Sequence, residues 1–180
     1  MESAGFLDET VALLERTPKT VAALLDGLPE GWLDTPDTAA GGWTPRDVVG
    51  HLISAELANW IPRAELVVAK GTSEPFDSFD RFAHVERDAG KSVEELVEWF
   101  GSLRNQNLAR LQELVQSDAD LDRRGLHPQL GEVTLRQLLS TWTVHDLDHV
   151  QQIYSSLAGS RDVAVGPFKT FLGILTRRDG

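Results

Sequence analysis

Three helix-start signals divide most of this chain into long amphipathic segments. In each signal a threonine or serine is followed three residues later by a side chain able to bond back to the first turn. The signals begin at Thr44, Ser92 and Thr134, and Pro45 fits the first helical position after Thr44. Apolar residues then recur every three or four positions, as in a helix that buries one face. Such a chain is expected to pack long helices side by side.

A further helical pattern precedes these signals, from about Gly5 to Leu28. Pro18 interrupts it, and Thr17 is placed to cap a new helix, so one kinked helix and two short helices both fit. Pro62 lies inside the second segment and is expected to bend that helix or break its hydrogen-bond ladder.

The remaining segments complete a predicted all-α fold. The second segment runs to about Lys70, the third to about Val115 and the fourth to about Leu157, and the apolar stretch Phe168–Leu175 predicts a short fifth helix. Strand patterns are nearly absent. We therefore predict a four-helix bundle with long loops and a short fifth C-terminal helix, forming one domain over residues 1–180.

Charge and composition exclude several classes of function. The net charge of −11 repels a phosphate backbone, and no apolar run is long enough for a membrane span, so neither nucleic acid nor a membrane is an expected partner. The absence of cysteine excludes disulfides and thiolate ligands. The acidic N-terminal sequence does not resemble a secretory signal, which predicts a cytoplasmic protein.

Two histidines four residues apart are the clearest chemical signal in the sequence. His145 and His149 fall on one inward face of the fourth segment, close enough to share a metal ion. Two half-buried histidines bonded to nearby carbonyls are the alternative. The zinc-protease pattern H-E-x-x-H is not matched, because Asp146 follows the first histidine and no histidine follows the second.

His51 is the best third ligand. It lies in the second turn of the second segment, whereas His84 and His127 lie in predicted loops and are expected to be surface or capping residues. Three neutral imidazoles leave coordination positions open, as in catalytic sites, and they suit Zn, Ni or Fe, and also Cu. Asp146 and Asp148 could fix the imidazole tautomers, or could be solvated helix charges.

Three motifs resemble the DinB-like (DinB/YfiT) family of metal-binding four-helix bundles. They are Trp43–Leu52 (WTPRDVVGHL), His127–Leu135 (HPQLGEVTL) and His145–His149 (HDLDH), and the Phe79–Phe100 region is similar in layout. The resemblance implies a metal held by His51, His145 and His149. It also implies a small-molecule substrate and a homodimer. Family members of known activity use a low-molecular-weight thiol for transfer or isomerisation, and others are described as metal-dependent hydrolases.

Three functional hypotheses follow. The first is an enzyme whose three-histidine metal centre activates a low-molecular-weight thiol for S-transfer or isomerisation of a small electrophile, or, as an alternative, uses metal-bound hydroxide for hydrolysis. The second is a non-catalytic metal-binding stress-response protein. The third is a structural bundle that serves only for dimerisation. Trp43, Trp142 and the phenylalanines either line a pocket or belong to the core, and the core assignment is favoured.

Overall fold

The protein is described by a computed structural model that covers residues 5–36 and 42–176. Its α-helices in chain order are α1 Phe6–Leu14, α2 Arg16–Leu25, α3 Glu30–Leu33, α4 Pro45–Ala58, α5 Trp60–Lys70, α6 His84–Arg87, α7 Val93–Leu114, α8 Leu135–Gly159, α9 Asp162–Val165 and α10 Gly173–Thr176. Its strands are β1 Arg124–His127 and β2 Gly131–Thr134. Within these ranges no helix combines the length and apolar character that crossing a membrane requires.

Four arms form the predicted bundle. The first arm is α1 followed by α2, the second is α4 followed by α5, and α7 and α8 are the third and fourth. The second arm packs along α7, while α8 contacts α1, α4 and α5. The prediction of a mainly helical four-helix bundle is confirmed.

All three helix-start signals act as capping boxes. The side chains of Thr44, Ser92 and Thr134 accept hydrogen bonds from the backbone N–H three residues later, and the side chain at that later position bonds back. Each cap therefore sets the residue at which its helix begins, and so the face on which each later side chain lies.

The first arm breaks three residues before its proline. The helix α1 ends at Leu14 and α2 begins at Arg16, because the Pro18 ring clashes with the carbonyl four residues upstream, that of Leu14. Two short helices are thus present rather than one kinked helix. The prediction that Thr17 caps the new helix is wrong: Thr17 lies buried inside α2, and Glu15 precedes that helix without a side-chain cap.

Pro62 breaks the second arm in the same way. The helix α4 ends at Ala58, four residues before the proline, and α5 begins at Trp60. Of the two outcomes expected from the sequence, a bent helix and a broken hydrogen-bond ladder, the structure shows the break. Asn59, between the two helices, is buried at this junction together with Trp60.

Two clusters of buried hydrophobic residues form the core of the bundle. In the first, the rings of Trp60 and Trp142 stack with centroids 5.6 Å apart and an interplanar angle of 10°. The second contains Phe100 and Ile153. Trp142 is fully buried in the core, as favoured from the sequence.

A small β-hairpin precedes α8, where the sequence indicated only a loop. The strands β1 and β2 pair antiparallel, with Arg124 opposite Thr134 and His127 opposite Gly131. Gly131 has a φ of 76°, a conformation that favours glycine at the turn. Strands of four residues are too short to show an alternating pattern in the sequence.

The C-terminal region differs in detail from the predicted fifth helix. It consists of the helical turns α9 and α10, separated by a 3₁₀-helix over Gly166–Phe171. Gly166 has a positive φ of 57° and Pro167 follows it, so the chain cannot continue as one α-helix there. The helix α10 packs against α8, whereas the Phe168 and Phe171 side chains are exposed.

Replacing Gly125 with alanine should destabilise the protein by about 1–3 kcal/mol, the usual cost of overpacking. An added Cβ would lie 2.6 Å from Val67 Cγ2 and 2.8 Å from Phe76 Cζ. Urea unfolding measures the effect. Gly31→Ala is the control, because nothing lies within 4 Å of a Cβ built there. Equal stability of the two variants would contradict this close packing.

Candidate metal centre

Two capped helices carry three histidines to one point inside the bundle. His51 lies in the second turn of α4, and His145 and His149 lie one turn apart on α8. The capping boxes set the phase of both helices, so all three rings point at the contact between α4 and α8.

The three rings are close enough to share one ion. His51 Nε2 and His145 Nε2 are 3.2 Å apart, and the ring centroid of His149 is 4.6 Å from that of His51 and 4.3 Å from that of His145. One nitrogen from each ring lies within 4.8 Å of the other two. Among the described residues, these three are brought together as candidate ligands.

Hydrogen bonds orient two of the three rings. His51 Nδ1 lies 3.2 Å from the backbone carbonyl of Arg81, and His149 Nδ1 lies 2.9 Å from Gln152 Oε1. Because both partners are acceptors, each Nδ1 carries the proton, which leaves Nε2 with a free lone pair. His145 Nδ1 is buried and has no hydrogen-bond partner.

Burial keeps the three imidazoles neutral. Together with the neighbouring histidines, burial lowers the pKa of His51 to about 4 and that of His145 to about 2, and burial is the larger cause. Burial also lowers the pKa of His149. Neutral imidazole is the form that binds metal, so the donor set is ready near pH 7.

This arrangement fits a divalent transition metal. His51 Nε2 and His145 Nε2 are 3.2 Å apart, and both rings are neutral. The two nitrogens therefore face each other either with a lone pair on each or with one strained hydrogen bond between them. His145 Nδ1 has no hydrogen-bond partner. A cation shared by three nitrogens would compensate the lone pairs. The rings supply only nitrogen donors, which suits Zn, Ni or Fe and leaves further coordination positions open.

Aromatic side chains enclose the rings. The Trp43 ring centroid is 4.7 Å from that of His51, and the Trp43 ring stacks on His149 at 6.1 Å. The Trp60 ring meets His145 edge-on at 5.0 Å. These contacts exclude water from much of the cluster, which strengthens electrostatic interactions there.

A cavity of about 490 Å³ opens beside the three histidines. Its walls come mainly from α5, the loop before α6, the hairpin and α8. Its apolar lining residues are Trp60, Phe76, Phe79, Leu130, Val133 and Leu138. The size suits a small organic molecule.

The two aspartates suggested as tautomer partners do not have that role. Asp146 is buried and pairs with Arg104 instead, and Asp148 is exposed at the edge of the cavity. The carbonyl of Arg81 and the amide of Gln152 bond the histidines in their place. Asp146 faces away from the histidines because it follows His145 directly, a rotation of about 100° around the helix.

A buried ion network beside the histidines was missed from the sequence. Arg104 is fully buried and donates to Glu56 Oε1 at 2.7 Å, to Asp146 Oδ2 at 2.6 Å and to the Leu14 carbonyl at 2.8 Å. Asn107 Nδ2 donates to the other Glu56 oxygen at 2.8 Å. The signal was present, because Arg104 is four residues from both Phe100 and Leu108 on the buried stripe of α7.

The network ties the two histidine-bearing helices together. Glu56 lies on α4, Asp146 on α8 and Arg104 on α7. The Leu14 carbonyl that Arg104 binds is the one to which Pro18, having no N–H, cannot donate. The rotation of α8, and with it the direction of His145 and His149, is therefore held by charge-assisted hydrogen bonds.

The other two histidines differ from each other. The expectation that His84 is a surface or capping residue is wrong: it is buried behind His51, with ring centroids 6.3 Å apart, because the short helix α6 packs on α4. His127 does cap a turn, since its Nδ1 accepts from the N–H groups of Gln129 and Leu130 at 3.2 Å.

Comparison with known proteins identifies the family and a shared fold. The family model of the DinB superfamily matches residues 13–153. A Bacillus mycoides protein named "putative metal-dependent hydrolase" is 27% identical over 150 residues, which are 83% of this chain and 84% of the relative. A Bacillus cereus protein of the same name is 25% identical over the same share of both chains.

A solved structure also matches. It is YfiT from Bacillus subtilis, described as "a probable metal-dependent hydrolase with an unusual four-helix bundle topology". The TM-score is 0.72 and the identity 25%, over 87% of this chain and 89% of that one.

Proposed function

Because this chain belongs to the DinB superfamily, we propose that it is a metal-dependent hydrolase of small molecules, with His51, His145 and His149 as the metal ligands. The observation that carries the proposal is the meeting of three neutral ring nitrogens within 4.8 Å of one another beside a cavity. The names of the relatives and of YfiT support hydrolysis as the reaction.

The residues of the site have separate tasks in this proposal. A bound divalent metal supplies a Lewis acid that activates water as a nucleophile and polarises the bond to be cleaved. Trp43 and Trp60 limit the access of bulk water to the histidines. The cavity holds the substrate with its reacting group toward the cluster, which is a positioning contribution to the rate.

Thiol transfer, predicted from the family resemblance, stays a prediction. The same three-histidine centre would serve it, and the relatives' names support hydrolysis instead. The predicted homodimer, the cytoplasmic location and the single domain over residues 1–180 likewise stay predictions.

Metal removal is expected to abolish hydrolysis. Protein purified without a histidine tag should contain one divalent metal ion per chain by elemental analysis, and dialysis against a chelator should remove it. Turnover of a panel of esters and amides should disappear with the metal and return with one particular metal. A parallel panel of electrophiles, with and without low-molecular-weight thiols, tests S-transfer.

Two results would decide against the proposal. Full activity in metal-free protein would exclude a metal-dependent reaction. A bound metal without turnover on either panel would favour the non-catalytic metal-binding alternative.

A further inference from the structure

The cavity beside the histidines combines apolar walls with an arginine that has no carboxylate partner. Arg63 lines it, and within the described residues its guanidinium forms no ion pair. Its Nη2 reaches only the Asp77 backbone carbonyl, at 3.3 Å, and its Nε is buried without a partner. The Asp77 carboxylate acts on it only at longer range, and burial lowers the pKa of Arg63. Among the described residues, no carboxylate therefore neutralises the Arg63 guanidinium, and its Nε makes no hydrogen bond.

The charge of this cavity is opposite to that of the protein. Arg63 and Arg81 both line it, and Asp148 is the acidic side chain on its wall. The chain as a whole carries a net charge of −11. Two arginines facing one apolar cavity are thus a local feature, and they favour an anionic ligand over a cationic one.

Unsatisfied polar atoms concentrate around the same cavity. Four buried atoms without a hydrogen-bond partner belong to residues that line it: Asn59 Oδ1, Trp60 Nε1, Arg63 Nε and His145 Nδ1. Buried polar groups are nearly always paired in folded proteins, and exceptions call for a local explanation such as a bound ligand. The break between α4 and α5 brings Asn59 and Trp60 to this wall.

Arg63 on α5 and the three histidines on α4 and α8 line the same cavity. Arg63 is three residues after Trp60 on α5, so their side chains share a face about 5–6 Å apart. The Trp60 ring contacts His145 at 5.0 Å, and the Arg63 guanidinium lies 5.2 Å from the centre of the Phe76 ring. Because Trp60, Phe76 and Phe79 line the cavity along with Arg63 and the histidines, its walls suit a ligand with an aromatic or short apolar body.

We propose that this cavity binds a small carboxylate with an apolar or aromatic body, and that Arg63 holds the carboxylate while the opposite end of the molecule faces the three histidines. The body packs against Phe76 and Phe79. The planar guanidinium fork matches one carboxylate, and a single partly buried arginine compensates one negative charge rather than the two of a phosphate ester. That this carboxylate is the substrate rests on the proposed function. That the cavity binds a carboxylate through Arg63 does not depend on the reaction.

Binding of phenylacetate to the full-length protein tests the proposal. The measurement is calorimetric, in chelator, so that the carboxylate cannot coordinate a metal. We expect phenylacetate to bind more tightly than the neutral isostere phenylacetamide. Arg63→Gln should weaken phenylacetate binding about ten- to hundredfold, as for the loss of hydrogen bonds to a charged group, and should leave phenylacetamide binding unchanged. Arg63→Lys, which keeps the charge but not the fork, should be intermediate.

Arg110→Gln is the matched control, because Arg110 forms exposed ion pairs with Glu65 and Glu113 outside the cavity. It should bind phenylacetate as the wild type does. Equal affinity of the wild type for both probes, or an equal loss of both in Arg63→Gln, would overturn the proposal. Because binding is measured without metal, selective carboxylate binding in a protein that fails the metal test would support this inference and reject only the proposed function.

Discussion

Replacement of His145 by alanine is expected to leave the protein almost free of metal after dialysis. His145 supplies the ring nitrogen that lies 3.2 Å from His51 Nε2, and without it only two candidate ligands of the cluster remain among the residues that the structure describes. Loss of a partner outside the ligand shell commonly costs ten- to a hundredfold in metal affinity, so loss of a direct ligand should cost at least about a hundredfold. Elemental analysis measures the content, and metal-dependent turnover should disappear with it.

Thermal unfolding provides a second measurement that does not need an identified substrate. Metal at about 1,000 times the wild type's dissociation constant should stabilise the wild type by about 4 kcal/mol, and the same concentration should stabilise the variant by no more than about 1.4 kcal/mol. His127→Asn is the control, since an asparagine oxygen can still accept the turn N–H groups and His127 is not in the cluster. Unchanged metal content in His145→Ala would remove it from the ligand set.

Replacement of Arg104 by methionine is expected to destabilise the protein by about 3–5 kcal/mol, the cost of removing one partner from a buried ion pair. Methionine fills part of the volume but leaves two buried carboxylates, Glu56 and Asp146, without a cation. It also removes the hydrogen bond to the Leu14 carbonyl. Urea unfolding measures the loss, and weaker metal binding should accompany it because the network holds α4 and α8 together.

The pH dependence of the Arg104→Met variant gives an independent check. Burial raises the pKa of the Glu56 carboxyl, and Arg104 opposes that effect in the wild type. Without the guanidinium the folded-state pKa rises further above the unfolded value, so the folded state binds protons more tightly. The variant should gain stability as the pH falls toward the ordinary range of carboxyl groups, and lose it as the pH rises.

The same substitution at an exposed site is the control for Arg104. Arg110→Met removes the Glu65 and Glu113 ion pairs on the surface of the same helix and should cost no more than about 1 kcal/mol. Equal losses at the two positions would show that the buried network does not stabilise the bundle. A loss at Arg104 that is independent of pH would show that the stranded carboxylates are not its cause.

Local signals account for the parts of the structure that were predicted well. Thr44 and Thr134 determine where α4 and α8 begin, and 100° per residue then determines which face His51, His145 and His149 occupy. Proline sterics predicted an interruption near Pro18 and near Pro62 for the same reason, although the sequence left a kink and a break both open. These features depend on a few neighbouring residues, which a sequence displays directly.

Features formed between distant segments were predicted poorly. His84 was assigned to the surface, yet α6 packs it against α4 behind His51. Asp146 was suggested as a partner of the histidines, with a solvated helix charge as the alternative, yet it pairs with Arg104, which is 42 positions away. A charged residue on an apolar stripe signals a buried partner, but nothing local identifies that partner.

By itself the sequence determined the helices, their buried faces and the histidines that face inward, because caps, prolines and helical periodicity act within a few residues. Only the tertiary structure decided that three ring nitrogens meet within 4.8 Å, that Arg104 joins Glu56 to Asp146, and that Arg63 faces an apolar cavity. Each of these depends on how whole helices pack and rotate against one another. The summed burial of many side chains sets that packing, so the chemistry of the site emerges only with the complete bundle.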